Sequence, residues 1–372
     1  MDQNEGLYHK IALSLIPKIG PVMARRLVSY VGSPEGVFRE STTRLLKIPN
    51  VGKHMVAAMH DRDIHRRVEN ELRFIERYEI RPLFYLDPGY PARLGNCEDA
   101  PVMLYVKGHL DIDHDKVLSI VGTRKATHRG VDLCEKLVAD LALNDPGLII
   151  VSGLAYGIDI CAHKAALKNG LTTVAVLGHG MDTIYPTVHR DVAAEIAKRG
   201  ALVSEFSSQT PFMRSNFVSR NRIIAGLCDA TVVVESGDKG GALITADIAN
   251  SYHRDVFAFP GRVDDSRSKG CNQLIKNSKA ILIEGAGDLE YVMGWEVNRQ
   301  KQKVVQHRLF GELEETARHI VDLLREKGEL SIDEIGNCCE SPVSKISPLL
   351  LDLEFKGLVR SLPGNRYKLL MD

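Results

Sequence analysis

Three short β-branched runs in this chain, residues 117–121, 148–151 and 172–177, each end in a turn made of groups that hold anions. The turns read Gly122-Thr123-Arg124, then Ser152-Gly153 leading through Gly157-Ile158-Asp159, then Gly178-His179-Gly180-Met181-Asp182 with Tyr185-Pro186 beyond. Glycine lets a phosphate approach the backbone, Thr123 offers a hydroxyl and Arg124 a planar fork of donors. Lys125, His128 and Arg129 follow at once and add to the cationic character. A second segment, TPFMRSNFVSRNRIIAGLC, alternates Arg214, Arg220 and Arg222 with Phe212 and Phe217. Arginine takes phosphates while an aromatic face stacks a base, a combination suited to a single nucleic-acid strand. The phosphates could belong to a nucleotide or to a nucleic-acid backbone.

Catalytic readings are weaker. Gly122-Thr123-Arg124 is not GxGxxG, which disfavours a dinucleotide fold of the standard kind. Ser152 does not stand in a GxSxG elbow, and a helix start explains it better. Asp159 fits an N-cap or first-turn role. His163, in AHKAAL, reads as a partly buried structural residue. His179 and Asp182 could form a pair, but no nucleophile is placed with them, so they read as loop-shaping.

The elements that must position these groups follow a simple order: strand, glycine turn, helix, repeated. That pattern describes an α/β fold, a parallel sheet covered by helices on both faces, with ligands at the carboxyl ends of the strands. Further strands are expected at 201–205, 231–235 and 255–260. Residues 82–110, rich in proline and turn residues, read as an extended connector ending in a short strand, 102–106, on the sheet's margin. The sheet is expected to bring Arg124 and Arg222 together.

Before the sheet, Ile16-Pro17-Lys18-Ile19-Gly20 and Ile48-Pro49-Asn50-Val51-Gly52 repeat one I-P-x-φ-G phrase, each with a helix-compatible run behind it. This resembles a tandem helix-hairpin-helix unit. Two readings stand: the hairpins present free amides to DNA phosphate, with Arg25, Arg26 and Lys53 as contacts, or they merely pack short helices together. Residues 60–78 read as a charged, solvated helix.

Near the carboxyl terminus, residues 295–308 are polar and read as a linker. Three helical runs and a hairpin, 359–362 and 366–369 about a turn at 363–365, then give a winged-helix signature. The second of the paired helices carries only Lys345 and Lys356 as cations. Duplex reading, protein contact and a structural role all remain open for this unit.

With 372 residues the chain has room for two or three domains, and Lys+Arg and Asp+Glu balance at 48 each. Bulk charge therefore names no partner, and a nucleic-acid reading rests on local clusters. Seven scattered cysteines without CxxC spacing argue for reduced thiols and against structural zinc. No metal or other cofactor is expected. No apolar run approaches the ~20 residues that span a bilayer, and MDQNEGLYHK lacks the order of a secretory signal. A cytoplasmic protein with no membrane partner is expected.

Taken together, GTR at 122–124, SGLAYGID, GHGMDTIYP, SRNRIIAGL, VVVES, GGALITADIA and Pro260-Gly261 occur in an order that resembles the DNA-processing protein A (DprA/Smf) family over nearly the whole chain. The resemblance implies an extended Rossmann-like central domain and a non-catalytic mediator of natural transformation. Such a protein binds single-stranded DNA without sequence preference, loads RecA recombinase onto it and forms homodimers. The implied boundaries are a helical domain at 1–82, the sheet domain at 83–295, a linker at 296–309 and the winged helix at 310–372. The implied pocket includes Arg124, Gly153, Phe217, Asn221, Arg222 and the turn at Gly240. Gly122, Thr123, Ser152, Arg220 and Lys239 on the same segments complete the candidate set. Two departures stand out: Thr187, with His189 and Arg190 beyond it, replaces a lysine that some relatives carry, and Met213 and Ser215 flank SRNR. The alternative is an enzyme on nucleoside monophosphates. Related sheets with that activity carry a PGGxGTxxE stretch, and KGGALITADIA has no glutamate there.

Overall fold

A computed structural model describes residues 3–59, 61–109, 111–113, 116–295, 315–355, 358–362 and 365–369. The chain divides into two compact units, Met1–Val297 and Asn298–Asp372. The expected linker lies outside the described residues, as do Lys356 and residues 363–364 of the expected hairpin turn.

The first unit is built on a nine-stranded sheet: β1 Arg81–Phe84, β2 Met103–Gly108, β3 Val117–Val121, β4 Ile149–Ser152, β5 Thr172–Val176, β6 Ala201–Ser204, β7 Ala230–Val233, β8 Asp255–Ala258 and β9 Ile281–Leu282. Their order is β1-β2-β6-β5-β4-β3-β7-β8-β9. From β6 to β9 every pairing is parallel, whereas β1–β2 and β2–β6 are antiparallel. The sheet is thus mostly parallel, and 102–106 is not a margin strand, because Arg81–Phe84 lies outside it. Pro82 donates no hydrogen bond, and an edge strand tolerates that.

Side chains alternate across the central strands. Val117 and Val121 join one core layer with Val151 and Val176, and Leu118 and Ile120 join the opposite layer with Ile150 and Phe257. Both faces of the sheet are therefore covered by helices, as β-branched runs without polar alternation require. The buried hydroxyls inside are paired: Ser119 donates to Thr231 at 2.7 Å, and Thr173 donates to the Ile150 carbonyl at 2.9 Å. After β6 the chain crosses back over β3 to begin β7. The strand order reverses there, and that crevice is where open α/β sheets bind ligands.

The amino-terminal helices, from Gln3–Leu15 to Arg62–Arg77, share a core with the antiparallel end of the sheet, where Ile11, Leu27 and Met59 pack with Phe84, Met103 and Tyr105. The two I-P-x-φ-G phrases are structural repeats. Lys18 and Asn50 both adopt left-handed φ, 64° and 67°, and Ile19 and Val51 both donate back three residues, to Ile16 and Ile48.

The second unit is a winged helix by itself. Strands β10 Glu329–Ser331, β11 Val359–Leu362 and β12 Arg366–Leu369 form a sheet in the order β10-β12-β11. Helices Glu315–Lys327, Ile332–Cys338 and Val343–Phe355 pack on it around Ile320, Ile335, Leu350 and Val359. Ser331 and Glu334 form a capping box at the start of the middle helix.

Candidate nucleic-acid interface

The carboxyl ends of β3 and β7 open into a cleft of about 630 Å³. Its walls come from the turn after β3, the start of the helix Ile158–Lys168, the third-loop Tyr185, the helix Arg214–Leu227 and the start of the helix Gly241–Ser251. The helix Arg214–Leu227 presents Phe217, Arg220, Asn221 and Ile224 to it. Those four share one face because helical neighbours recur at three and four residues.

An aromatic wall forms one side. Phe212 and Phe217 meet edge-on with ring centroids 5.1 Å apart, and Tyr185 stands 4.8 Å from Phe212 and 5.8 Å from Phe217. Phe212 and Tyr185 remain 52% and 42% exposed. Gly178 makes this possible: a Cβ there would sit 2.8 Å from the Phe217 ring. The Arg124 guanidinium lies 5.9 Å from the centroid of the Phe217 ring. Arg124, Arg214 and Lys239 line the cleft as exposed cations and form no salt bridge among the described residues.

Arg220 is the floor. It is 3% exposed, and its Nη1 donates to the Gly153 carbonyl at 2.7 Å and to the Val176 carbonyl. Burial draws its pKa down to about 10, against the opposing pull of the Asp159 carboxylate. Asp159 is itself buried in the first turn of its helix, where the Gly153 and Ala155 amides donate to it. Desolvation still pushes its pKa up. Gly153 has no room for a side chain, since a Cβ would fall 2.6 Å from Arg220 Nη1.

The candidate set therefore separates. Gly122, Arg124, Phe217, Arg220, Asn221, Lys239 and Gly240 line one cleft. Thr123 closes the loop beside it, its amide donating to the Glu235 carbonyl at 2.7 Å. Gly122 is locked against Ile158, whose Cγ1 would lie 2.5 Å from an added Cβ. Ser152 is fully buried, and its hydroxyl is spent on the Ile120 carbonyl at 2.6 Å, so it holds β4 to β3 rather than facing a ligand. Gly153 acts beneath the cleft, through Arg220.

The expectation that Arg124 and Arg222 meet is corrected. Arg222 points off the pocket face, where it is salt-bridged to Glu205 and lies 3.9 Å from Asp99. Its side chain is 12% exposed and its charge is already matched. Arg25 is also not a free DNA contact: it donates to the Cys97 carbonyl at 3.3 Å and lies 4.9 Å over the Tyr85 ring. Arg26 bridges the two hairpins through the Pro49 carbonyl at 3.2 Å. Of that trio, Lys53 stays exposed. Arg129 turns toward the Pro260 carbonyl, and neither it nor Lys125 nor His128 lines the cleft.

His179 shapes its loop. Its Nδ1 lies 2.8 Å from the Gly180 carbonyl and its Nε2 accepts from the Tyr185 amide at 3.3 Å, which fixes Tyr185 in the aromatic wall. His163 is fully buried against Thr173 at 2.7 Å. In the third loop, His189 is buried on the Leu154 carbonyl at 2.8 Å and does not line the cleft. Tyr185, Phe212 and Arg214 were missing from the candidate set. The alternating aromatic and basic residues ahead of SRNR were the signal for the last two. Among the described residues no His/Cys/Asp/Glu cluster fits a metal, and no helix is long and apolar enough to cross a membrane.

A mostly parallel Rossmann-like sheet with a loop-end cleft, preceded by helix-hairpin-helix turns and followed by a winged helix, defines the class of this protein. The model of the DNA recombination-mediator protein A family matches residues 81–293, that of the DprA winged helix domain 310–365, and that of the SAM-like helix-hairpin-helix tandem 11–61. The chain belongs to the DNA recombination-mediator protein A family, whose members carry the names DprA and Smf. It is 32% identical to Protein Smf of Synechocystis over 96% of this chain and 97% of that one. It is similar to the X-ray structure of DNA processing protein A from Streptococcus pneumoniae, with a TM-score of 0.61 and 30% identity, covering 77% of this chain and 97% of that one. A structure of DNA processing protein A from Helicobacter pylori, described for its single-stranded DNA binding mode, matches with a TM-score of 0.52 and 28% identity, covering 58% of this chain and 96% of that one.

Proposed function

We propose that this chain is a sequence-independent single-stranded DNA-binding mediator that loads RecA recombinase onto incoming strands in natural transformation. In this reading it works in the cytoplasm as a homodimer. The observation that carries the binding role is the exposed wall of Tyr185, Phe212 and Phe217 beside Arg124, Arg214 and Lys239. Rings stack on any base and cations hold any phosphate, so affinity is independent of sequence. The Helicobacter pylori relative, named for binding single-stranded DNA, supports the same reading. The RecA and dimer roles rest on the family.

A mediator needs no reacting group. Among the described residues Asp159 is the carboxylate that lines the cleft, and its oxygens are held by backbone amides. Asp247, the acid in the helix Gly241–Ser251, is not among the lining residues and pairs with Lys279 at 2.8 Å. The test is a titration of the full chain with homopolymer oligonucleotides, single-stranded against duplex, at two salt concentrations. Salt-sensitive binding with preference for the single strand and none for base identity is expected. Duplex preference, or release of ribose phosphate from nucleoside monophosphates, overturns the reading.

A further inference from the structure

His179 sits behind the aromatic wall. It is 1% exposed, whereas Tyr185 and Phe212 stay open to solvent. Its imidazole stacks on the Phe212 ring, at 25° with centroids 6.1 Å apart, and is tilted against Phe217 at 6.3 Å. The Tyr185 amide donates to its Nε2. One imidazole therefore adjoins three residues that arrive from different places: the third loop, the segment after β6 and the helix Arg214–Leu227.

The hydrogen bonds fix its tautomer. A carbonyl can only accept, so Nδ1, 2.8 Å from the Gly180 carbonyl oxygen, carries the proton. Nε2 is then an unprotonated acceptor, and the Tyr185 amide uses it. A second proton on the ring would set one donor against another. The charged groups that act on the ring are Arg220 from the pocket helix and Asp182 from its own loop. Behind Asp182 stands Glu71 of the helix Arg62–Arg77, which accepts from the Ser208 amide at 2.8 Å. Burial lowers the pKa of the imidazole; the Gly180 carbonyl and Asp182 oppose that shift, and Arg220 reinforces it.

The course of this loop has supports of its own. The buried Ser204 hydroxyl donates to the His179 carbonyl at 2.7 Å, and the Leu177 amide donates to the Val203 carbonyl at 2.8 Å. Gly180 is closed in, since a Cβ there would lie 2.4 Å from the Ser207 carbonyl oxygen. What the side chain of His179 adds is the placement of the rings.

We propose that His179 is a positioning residue for single-strand binding: its uncharged imidazole holds Tyr185, Phe212 and Phe217 at the spacing that receives a base, without meeting the strand itself. The proposal rests on the single-strand reading of the cleft. A histidine that binds phosphate gains affinity and salt dependence when it is protonated. Protonation of His179 instead removes the acceptor that seats Tyr185, so affinity falls while the salt dependence stays.

The test is a series of titrations of the full chain with oligothymidylate at several salt concentrations. They run from about pH 8 to about pH 5, across the ordinary histidine value of about 6.5, where circular dichroism shows the chains folded. H179A is expected to lose about fivefold or more in affinity at the higher pH, the lower end of the loss of one stacked base, and to keep the parent's log–log salt slope. H179Q offers an amide oxygen to the Tyr185 amide and cannot titrate, so it should recover most of the lost affinity. The ratio of parent to H179Q affinity should fall as the pH drops. Parent-like affinity in H179A, a shallower slope in H179A, a ratio that stays constant or rises, or losses in H179Q that match H179A each overturn the positioning role and leave the cleft standing. Failure of the parent to bind oligothymidylate overturns the single-strand reading, and this role with it.

Discussion

The guanidinium of Arg220 occupies the space a side chain on Gly153 would need: its Nη1 is 2.7 Å from the Gly153 carbonyl oxygen and would be 2.6 Å from a Cβ there. One arginine thus ties the pocket helix to the ends of β4 and β5, above the buried Asp159. Removing the guanidinium leaves the buried Gly153 and Val176 carbonyls without their donor and Asp159 without the charge that opposes its desolvation, at about 1–3 kcal/mol for each unmet group. Arg220→Ala is expected to lower stability by that amount in chemical denaturation, and Gly153→Ala to be destabilising because a methyl would displace a guanidinium that the Gly153 and Val176 carbonyls hold. Wild-type stability in Arg220→Ala would show that the arginine is not structural.

Arg124 and Arg222 should part company in experiment. Arg124→Ala removes an exposed cation of the cleft, so it is expected to keep full stability and reduce the salt slope of single-strand binding by about 0.7. Arg222→Ala strands Glu205, whose carboxyl burial already pushes its pKa upward. It should lower stability while leaving the slope per bound strand unchanged. Paired thermal melts and salt titrations check both, and a slope change in Arg222→Ala alone would reverse the assignment.

The aromatic wall should contribute without charge. Phe212→Ala and Phe217→Ala are each expected to weaken homopolymer binding by about 1–3 kcal/mol if the rings stack on bases. The parent slope of roughly −2, from three exposed cations at about 0.7 each, should persist in both variants. Phe212 is 52% exposed, so its variant separates stacking from packing. Affinity equal to the parent in Phe212→Ala and Phe217→Ala would remove the rings from the site.

Acid should destabilise the sheet through His163. Burial lowers its pKa from 6.5 to about 3, with Arg220 and His189 adding to the effect. The folded state then holds fewer protons than the unfolded state between those values, so stability falls as pH drops below 6.5. Between pH 6.5 and 5 this amounts to about 2 kcal/mol, at about 1.36 per unit. His163→Gln cannot titrate, and the parent should lose that much relative to it in denaturation across the interval. Parallel pH profiles would show that His163 titrates normally.

The central parallel strands were legible in the sequence because β-branched runs that bury both faces leave a continuous apolar signature. The tandem hairpins were legible from a repeated phrase, and the winged helix from helical runs followed by a glycine turn. The antiparallel end of the sheet left no such mark, and a proline within four residues concealed β1. In the site, residue types pointed to Arg124 and Phe217, and the family resemblance added Asn221 and the turn with Lys239; all four line one cleft because loop ends of a parallel sheet converge at the point where strand order reverses. The phase of the helix Arg214–Leu227 held more than its alternating charges suggested: Phe217, Arg220 and Asn221 share a face that Arg222 does not. Only the tertiary structure decided which arginine is free. Arg222 meets Glu205 and Arg220 meets the Gly153 carbonyl through contacts between residues far apart in the chain, and a local pattern of charges cannot say which of them burial will neutralise.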